Sequence, residues 1–193
     1  MLTLFHAPAS PSFRIVWLLE ELQAEYRLEW VSYPREDGSN TDTRNPHPHG
    51  YTPALEHNGV LVTESGAIAL YLTDLFPQSP ISIPIGDPLR ARYVTWLFYQ
   101  VGLAEPLLYM KGTKALEADA TMSRLYGAMI YNIEKTLAQG PFLLGERFTA
   151  ADILYMSLFD RARELIGKLD WIEAYIARGL DRPARQRALL KGG

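Results

Sequence analysis

The sequence predicts an α/β domain followed by an all-α domain. Three observations carry this expectation. Short strand patterns alternate with helices up to residue 76; four prolines crowd residues 77, 80, 84 and 88; and strand signals vanish after them. The boundaries expected are an α/β domain over 1–77, a proline-rich linker over 78–88 and a helical domain over 89–193.

The elements follow in order. "LTLFHA" (2–7) is a compact apolar strand. Ile15, Leu18, Leu19 and Leu22 then recur at i, i+3, i+4 and i+7, one face of a helix. "YRLEWVSY" (26–33) alternates, with Leu28 and Trp30 opposite Arg27 and Glu29, as in a half-buried strand. "PALE" and "VLVT" flank His57-Asn58-Gly59, and Asn-Gly is the strongest short hairpin signal. "SGAIALYLTDLF" reads as the next helix. The order strand–helix–strand, polar loop, hairpin–helix joins one parallel crossover to one antiparallel pair, βαβ then ββα. Neither helix nor central strand tolerates the proline spacing that follows, so that segment is expected to be semi-extended and exposed. Downstream, Leu89, Tyr93, Trp96 and Leu97 mark one amphipathic helix. Met122, Leu125, Met129 and Ile133 mark a second, and Leu169, Ile172 and Ile176 a third. In "FTAADI", Thr149 as N-cap with Asp152 at N3, and Phe148 with Ile153, form a capping box and a hydrophobic staple.

Composition narrows the function. Hydrophobic residues make up 48% and charged residues 21% of the 193, an ordinary globular balance. A net charge of −3 argues against a nucleic-acid binder. No apolar run is long enough to span a bilayer, and "MLTLFHAPAS" lacks the basic-then-apolar pattern of a signal peptide, so a soluble, cytoplasmic protein is expected. There is no cysteine, which removes disulfides, thiolate metal sites and cysteine nucleophiles together. Any sulfur chemistry must use a thiol that a ligand brings. His47 and His49 lack a third metal ligand nearby, so no metal is expected.

Two stretches look like parts of a site. Thr63-Glu64-Ser65-Gly66 places oxygen-bearing residues at a helix entrance, where free N–H groups and the helix dipole hold small anions. The plain alternative is an N-cap serine with a first-turn acid. Ser10 with Pro11 is likewise a favoured helix start, and its hydroxyl can accept from the backbone while donating elsewhere.

Jointly, the strand–helix–strand–loop–hairpin–helix order, "TPAL", "ES" before the last helix of the first half, the proline-rich segment and the "FTAAD" box resemble the cytosolic glutathione transferases. The opening "FHAPASPSFRIVWLLEEL" is similar to bacterial members, and the resemblance covers essentially the whole chain. It implies a thioredoxin-like domain followed by a helical one, assembled as a homodimer, acting in detoxification on glutathione as co-substrate and a hydrophobic electrophile. It implies a cis bond at Pro53, with Thr52 pairing its backbone to the cysteinyl unit of glutathione. Ser65 then takes the γ-glutamyl carboxylate and Glu64 its ammonium. Ser10, or Ser12 as alternate, stabilises the thiolate. Family members with cysteine at this site do thiol–disulfide chemistry, a branch that Pro11 closes here. One departure is Tyr51, where many relatives carry a basic residue for the glycine carboxylate; His49, His47 or Arg35 are the candidates to replace it. His6 ends a strand close to Ser10. The aromatics Tyr93, Trp96, Phe98, Tyr99 and Tyr109 lie where the electrophile pocket is expected. Two rival readings share the architecture: a catalytically silent binding or regulatory protein, and a glutathione-dependent isomerase or dehalogenase.

Overall fold

A computed structural model describes residues 1–35 and 39–193. Among these, four strands form one sheet in the order β2-β1-β3-β4, with β1 Leu2–His6, β2 Tyr26–Trp30, β3 Ala54–His57 and β4 Val60–Thr63. β1 runs parallel to β2 and antiparallel to β3, and Leu4 is the central register point, opposite Leu28 on one side and Leu55 on the other. The hairpin forms as expected: Asn58 and Gly59 both take positive φ (52° and 80°), the geometry of a two-residue type I′ turn. β2 is the sheet edge, which leaves Trp30 half exposed with its ring edge-on to His6 instead of buried beside Leu28.

Helix α1 (Phe13–Glu21) makes the parallel crossover and α2 (Ser65–Leu75) follows the hairpin. The helical half comprises α3 Arg90–Tyr99, α4 Glu105–Gly112, α5 Ala120–Leu137, α6 Ala150–Arg161, the short α7 Arg163–Ile166, α8 Asp170–Leu180 and α9 Pro183–Gly192. A π-helical stretch, Gln100–Ala104, joins α3 to α4. The fold is thus an α/β domain followed by a helical domain, as the pattern predicted, and the first is thioredoxin-like, as the resemblance implied. One apolar core runs through both halves, from Leu4 and Leu18 to Tyr155 and Ile176. Gly66 lets α2 enter that core: a Cβ there would lie 3.1 Å from the Leu97 carbonyl and 3.2 Å from Val101.

The proline-rich segment is not uniformly exposed. Ile81, Ser82 and Ile83 are buried, and Ile83 reaches full burial. Prolines bar ladder and helix hydrogen bonding but not packing. Arg90 donates to the Ile83 carbonyl (2.7 Å) and Arg147 to that of Ser82 (3.3 Å), so guanidinium groups satisfy backbone that no secondary structure can.

Helix α6 is the buried centre of the helical half, with residues 150–159 all inside. The capping box expected from sequence starts it. Asp152 accepts from the Thr149 amide (2.8 Å) and hydroxyl (3.0 Å), and also from the Leu143 amide (2.9 Å) and the Tyr175 hydroxyl (2.8 Å).

Helix α9, which no periodicity announced, packs along α1. Buried Glu20 accepts from Arg187 (2.9 Å), Lys191 (2.6 Å) and Tyr26 (2.7 Å). Burial works against its charge, but Lys191, Tyr26 and Arg187 together hold its carboxyl below the usual glutamate range. An acid held low in the fold stabilises fully above its unfolded pKa, 4.5, and loses that contribution as pH falls through its folded value. Glu20→Gln should therefore cost about 1–2 kcal/mol at pH 7, its cationic partners being half in solvent. The gap to wild type should close below pH 4.5 in thermal melts. A pH-independent gap would mean the glutamate acts through packing alone.

Candidate functional site

The site begins where the loop after β2 delivers the chain to β3. Asn45, buried, clamps this loop: its Nδ2 donates to the carbonyls of Gly50 and Tyr51 (2.9 Å each) and its Oδ1 accepts from the His47 amide (3.1 Å). The chain then enters β3 through a cis Thr52–Pro53 bond, as expected. Tyr51 is half exposed and stacks on Tyr33, with ring centroids 5.7 Å apart.

At the far end of the hairpin, Glu64 takes φ 68° and occupies the N-cap of α2, while Ser65 is the first helical residue and is buried. Glu64 makes no capping side-chain bond, so the plain N-cap alternative for this pair does not describe it. The Glu64 carbonyl accepts the first intrahelical bond, from Ile68 (2.9 Å), and the amides of Ser65, Gly66 and Ala67 precede the ladder without helical acceptors. One pocket gathers Pro11, Tyr33, His47, Tyr51, Thr52, Pro53, Glu64, Ser65 and Glu105. It brings together five of the expected residues, Thr52, Pro53, Glu64, Ser65 and His47, the last as one of three candidates for the glycine end. His47 lines it while His49 lies outside, donating its amide to His47 Nδ1 (3.1 Å). Burial and neighbouring His49 push the His47 pKa down against the pull of Glu64, so the ring is neutral at pH 7.

Ser10 and Ser12 are buried and do not line this pocket; Ser10 lines a neighbouring cleft with Pro11 and Arg14. Ser10 is not an N-cap: a turn intervenes, and α1 starts after Ser12, which makes no capping side-chain bond. Instead the two hydroxyls belong to a buried chain. His6 Nε2 meets the Gly192 carbonyl (2.9 Å), which can only accept, so Nε2 carries the proton. Burial holds the imidazole pKa below 6.5 against the Gly192 carbonyl's opposite pull. Nδ1 of the neutral ring is therefore an acceptor, and Ser12 Oγ–H donates to it (2.7 Å). With that hydrogen spent, Ser10 is the donor to Ser12 (2.6 Å), sharing its hydrogen with the Ala7 carbonyl (2.7 Å). Thr52 Oγ1–H then donates to Ser10 (2.8 Å). The chain is directed from the pocket wall inward to His6 and, through Gly192, to α9.

Between the halves, Arg14, itself buried, grips Glu105 through two 2.8 Å bonds, and Gln100 adds a third donor to Glu105 at 3.0 Å. Burial opposes the Glu105 charge, but Arg14 outweighs it and holds the carboxyl below the usual range. Tyr33, Asn45 and this pair were not identified from sequence as residues that line or brace one pocket. Arg14 and Glu105 lie 91 residues apart, and nothing local couples them. Among the described residues no group of three His, Cys, Asp or Glu could hold a metal ion, and no helix is long and apolar enough to cross a membrane.

A backbone edge beside a cis proline and an acid at a helix entrance thus face one pocket, with buried hydroxyls bonded to its Thr52. Comparison with known proteins places these features in a family. Residues 4–80 match the family model of the glutathione S-transferase N-terminal domain. The chain is 28% identical over 210 residues to the disulfide-bond oxidoreductase YfcG of Escherichia coli K12, covering 99% of this chain and 95% of that protein. It is 26% identical over 198 residues to the glutathione S-transferase GstA of Escherichia coli O157:H7, covering 98% of each. The crystal structure of a glutathione S-transferase from Actinobacillus pleuropneumoniae superposes with a TM-score of 0.84 at 25% identity, covering all of this chain and 94% of that one. Residues 4–80 belong to the glutathione S-transferase N-terminal domain family, and the chain along its whole length is similar to glutathione S-transferases.

Proposed function

We propose that the chain is a glutathione transferase that binds reduced glutathione, lowers its thiol pKa and directs the thiolate at a hydrophobic electrophile. The observation that carries this reading is the convergence of the Thr52–Pro53 edge and the Glu64–Ser65 helix entrance on one pocket, against the hydroxyl chain. Thr52 offers its backbone N–H and C=O to the cysteinyl unit, strand to strand. Ser65 and the amides behind it take the γ-glutamyl carboxylate, and the Glu64 carboxylate takes the ammonium. His47 replaces His49 as the group nearest the glycine end. Ser10 turns its hydroxyl from Ala7 to the sulfur, with Thr52 donating to it from behind. The thiolate attacks the electrophilic carbon and the leaving group departs with the bonding pair; no residue of the chain is covalently modified. The same reading takes the protein as a cytoplasmic homodimer, so sedimentation should give twice the 21.8 kDa chain mass.

Retention on immobilised glutathione, with elution by free glutathione, tests the binding half. Glu64→Gln and Ser65→Ala should each weaken it about tenfold or more, the loss of one charge-assisted bond. Passage of the wild type straight through the column would favour the silent-protein reading. The kinship with a disulfide-bond oxidoreductase supports a second reading, in which two glutathiones reduce a disulfide to two thiols and leave as glutathione disulfide. Assaying hydroxyethyl disulfide beside an aryl halide separates the two.

A further inference from the structure

Three hollows meet around the Arg14–Glu105 pair. The glutathione pocket shares Glu105 with an apolar hollow against Leu108, Tyr109, Leu158 and Leu165, and shares Pro11 with a narrow cleft beneath α1. Arg161 lines both the hollow and the cleft. Among the described residues its charge has no ion-pair partner. The nearby carboxylates are spoken for: Glu105 by Arg14 and Gln100, Asp160 by Arg163 (2.9 Å) and Arg185 (3.2 Å). Arg161 stands at the exposed rim of these hollows, where partial desolvation and the proximity of Arg14 work against its charge and Glu105 works for it. Two further polar atoms of residues lining the cleft are buried with no hydrogen-bond partner among the described residues: Arg14 Nε, on a side chain 1% exposed, and Ser157 Oγ. The dipole of α6 accounts for a cation at its C-terminal end, but not for two orphaned groups beside the same cleft.

We propose that this corner is an anion subsite, and that the electrophiles the chain takes are apolar molecules bearing a carboxylate. Arg161 meets the carboxylate, Ser157 and Arg14 Nε stand behind it, and the apolar body lies along Leu108, Leu158 and Leu165 beside the thiol. The conjugation rests on the transferase reading; the binding does not. For 4-(chloromethyl)benzoate the glutathione sulfur forms a bond to the benzylic carbon, the carbon–chlorine bond breaks and chloride leaves with its electrons.

Calorimetry with unreactive 4-butylbenzoate and 4-butylbenzamide tests the subsite directly. The acid should bind at least about tenfold more tightly than the amide, the worth of one charged hydrogen bond. Arg161→Met should shrink the advantage to within about twofold, and Arg161→Lys should restore part of it. Equal affinities in the wild type, or an advantage that survives Arg161→Met, overturn the proposal. Rates with 4-(chloromethyl)benzoate and its amide keep the two readings apart. No conjugation of either, with the binding preference intact, removes the transferase and leaves the anion subsite. Conjugation of both without a binding preference does the reverse.

Discussion

Asp152→Ala should lower the unfolding free energy by about 3–5 kcal/mol, the largest loss expected from a single side chain here. Four donors converge on this carboxylate, two of them backbone amides, and the residue is fully buried. Removing the acceptor strands the Leu143 and Thr149 amides, at about 1–3 kcal/mol each, and with the second breaks the capping box of α6. Burial pushes the Asp152 carboxyl up to about 6 against those donors, so it is ionised at pH 7. Asp152→Asn keeps the volume but turns an NH2 toward groups that need an acceptor, and should recover only part of the loss. Tyr175→Phe removes one donor of the four and should cost about 1 kcal/mol. At about 2–4 °C per kcal/mol for a chain of this size, Asp152→Ala should melt roughly 10 °C below wild type. A difference under 2 °C would show that the α6 start holds without its acid.

The ordering of these effects also measures what the sequence made legible. The capping box, the Asn58-Gly59 turn and the strand–helix–strand order are local: each is written in residues within a few positions of one another, and each forms as its pattern predicts. The cis bond at Pro53 was not local information, since the dipeptide favours trans; the family resemblance supplied it. Burial of Ile81 and Ile83 was missed because prolines forbid secondary structure without forbidding packing. Helix α9 was missed because it is short of apolar residues and is held to α1 by Glu20 and Glu21, more than 160 residues away. Helix α6, buried on every side from Ala150 to Phe159, carries no periodicity to read. At the pocket, residues adjacent to a hairpin or helix start, and His47 among three candidates, were named from sequence, while the Asn45 clamp and the Arg14–Glu105 pair, which depend on how the loop and the two halves meet, were not.

Ser10→Ala should raise the pKa of bound glutathione thiol by about one to two units and slow conjugation at neutral pH by about ten- to a hundredfold, leaving glutathione retention within a few-fold. A free thiol, with its ordinary pKa of about 8.5, is only a few per cent thiolate at pH 7, and each unit of pKa is worth about 1.4 kcal/mol of preference for the charged form. Ser10 is suited to supply it because Thr52 already donates to its oxygen, which polarises the Ser10 hydrogen toward any new acceptor. The hydrogen now shared with Ala7 and Ser12 must swing to the sulfur, and His6 makes this possible by keeping Ser12's own hydrogen elsewhere. Two variants separate the ends of that imidazole. His6→Asn keeps an acceptor near the Nδ1 position for Ser12 and should preserve the thiol titration. His6→Gln keeps a donor toward Gly192 but frees the Ser12 hydrogen to compete for Ser10, and should raise the thiol pKa by a fraction of the Ser10→Ala shift. Thiolate absorbance near 240 nm against pH, with glutathione saturating, reads all three. If Ser10→Ala titrates as wild type does, the sulfur is held by the Pro11 turn and the backbone around it, and the hydroxyl chain serves only to fasten α9 to the sheet.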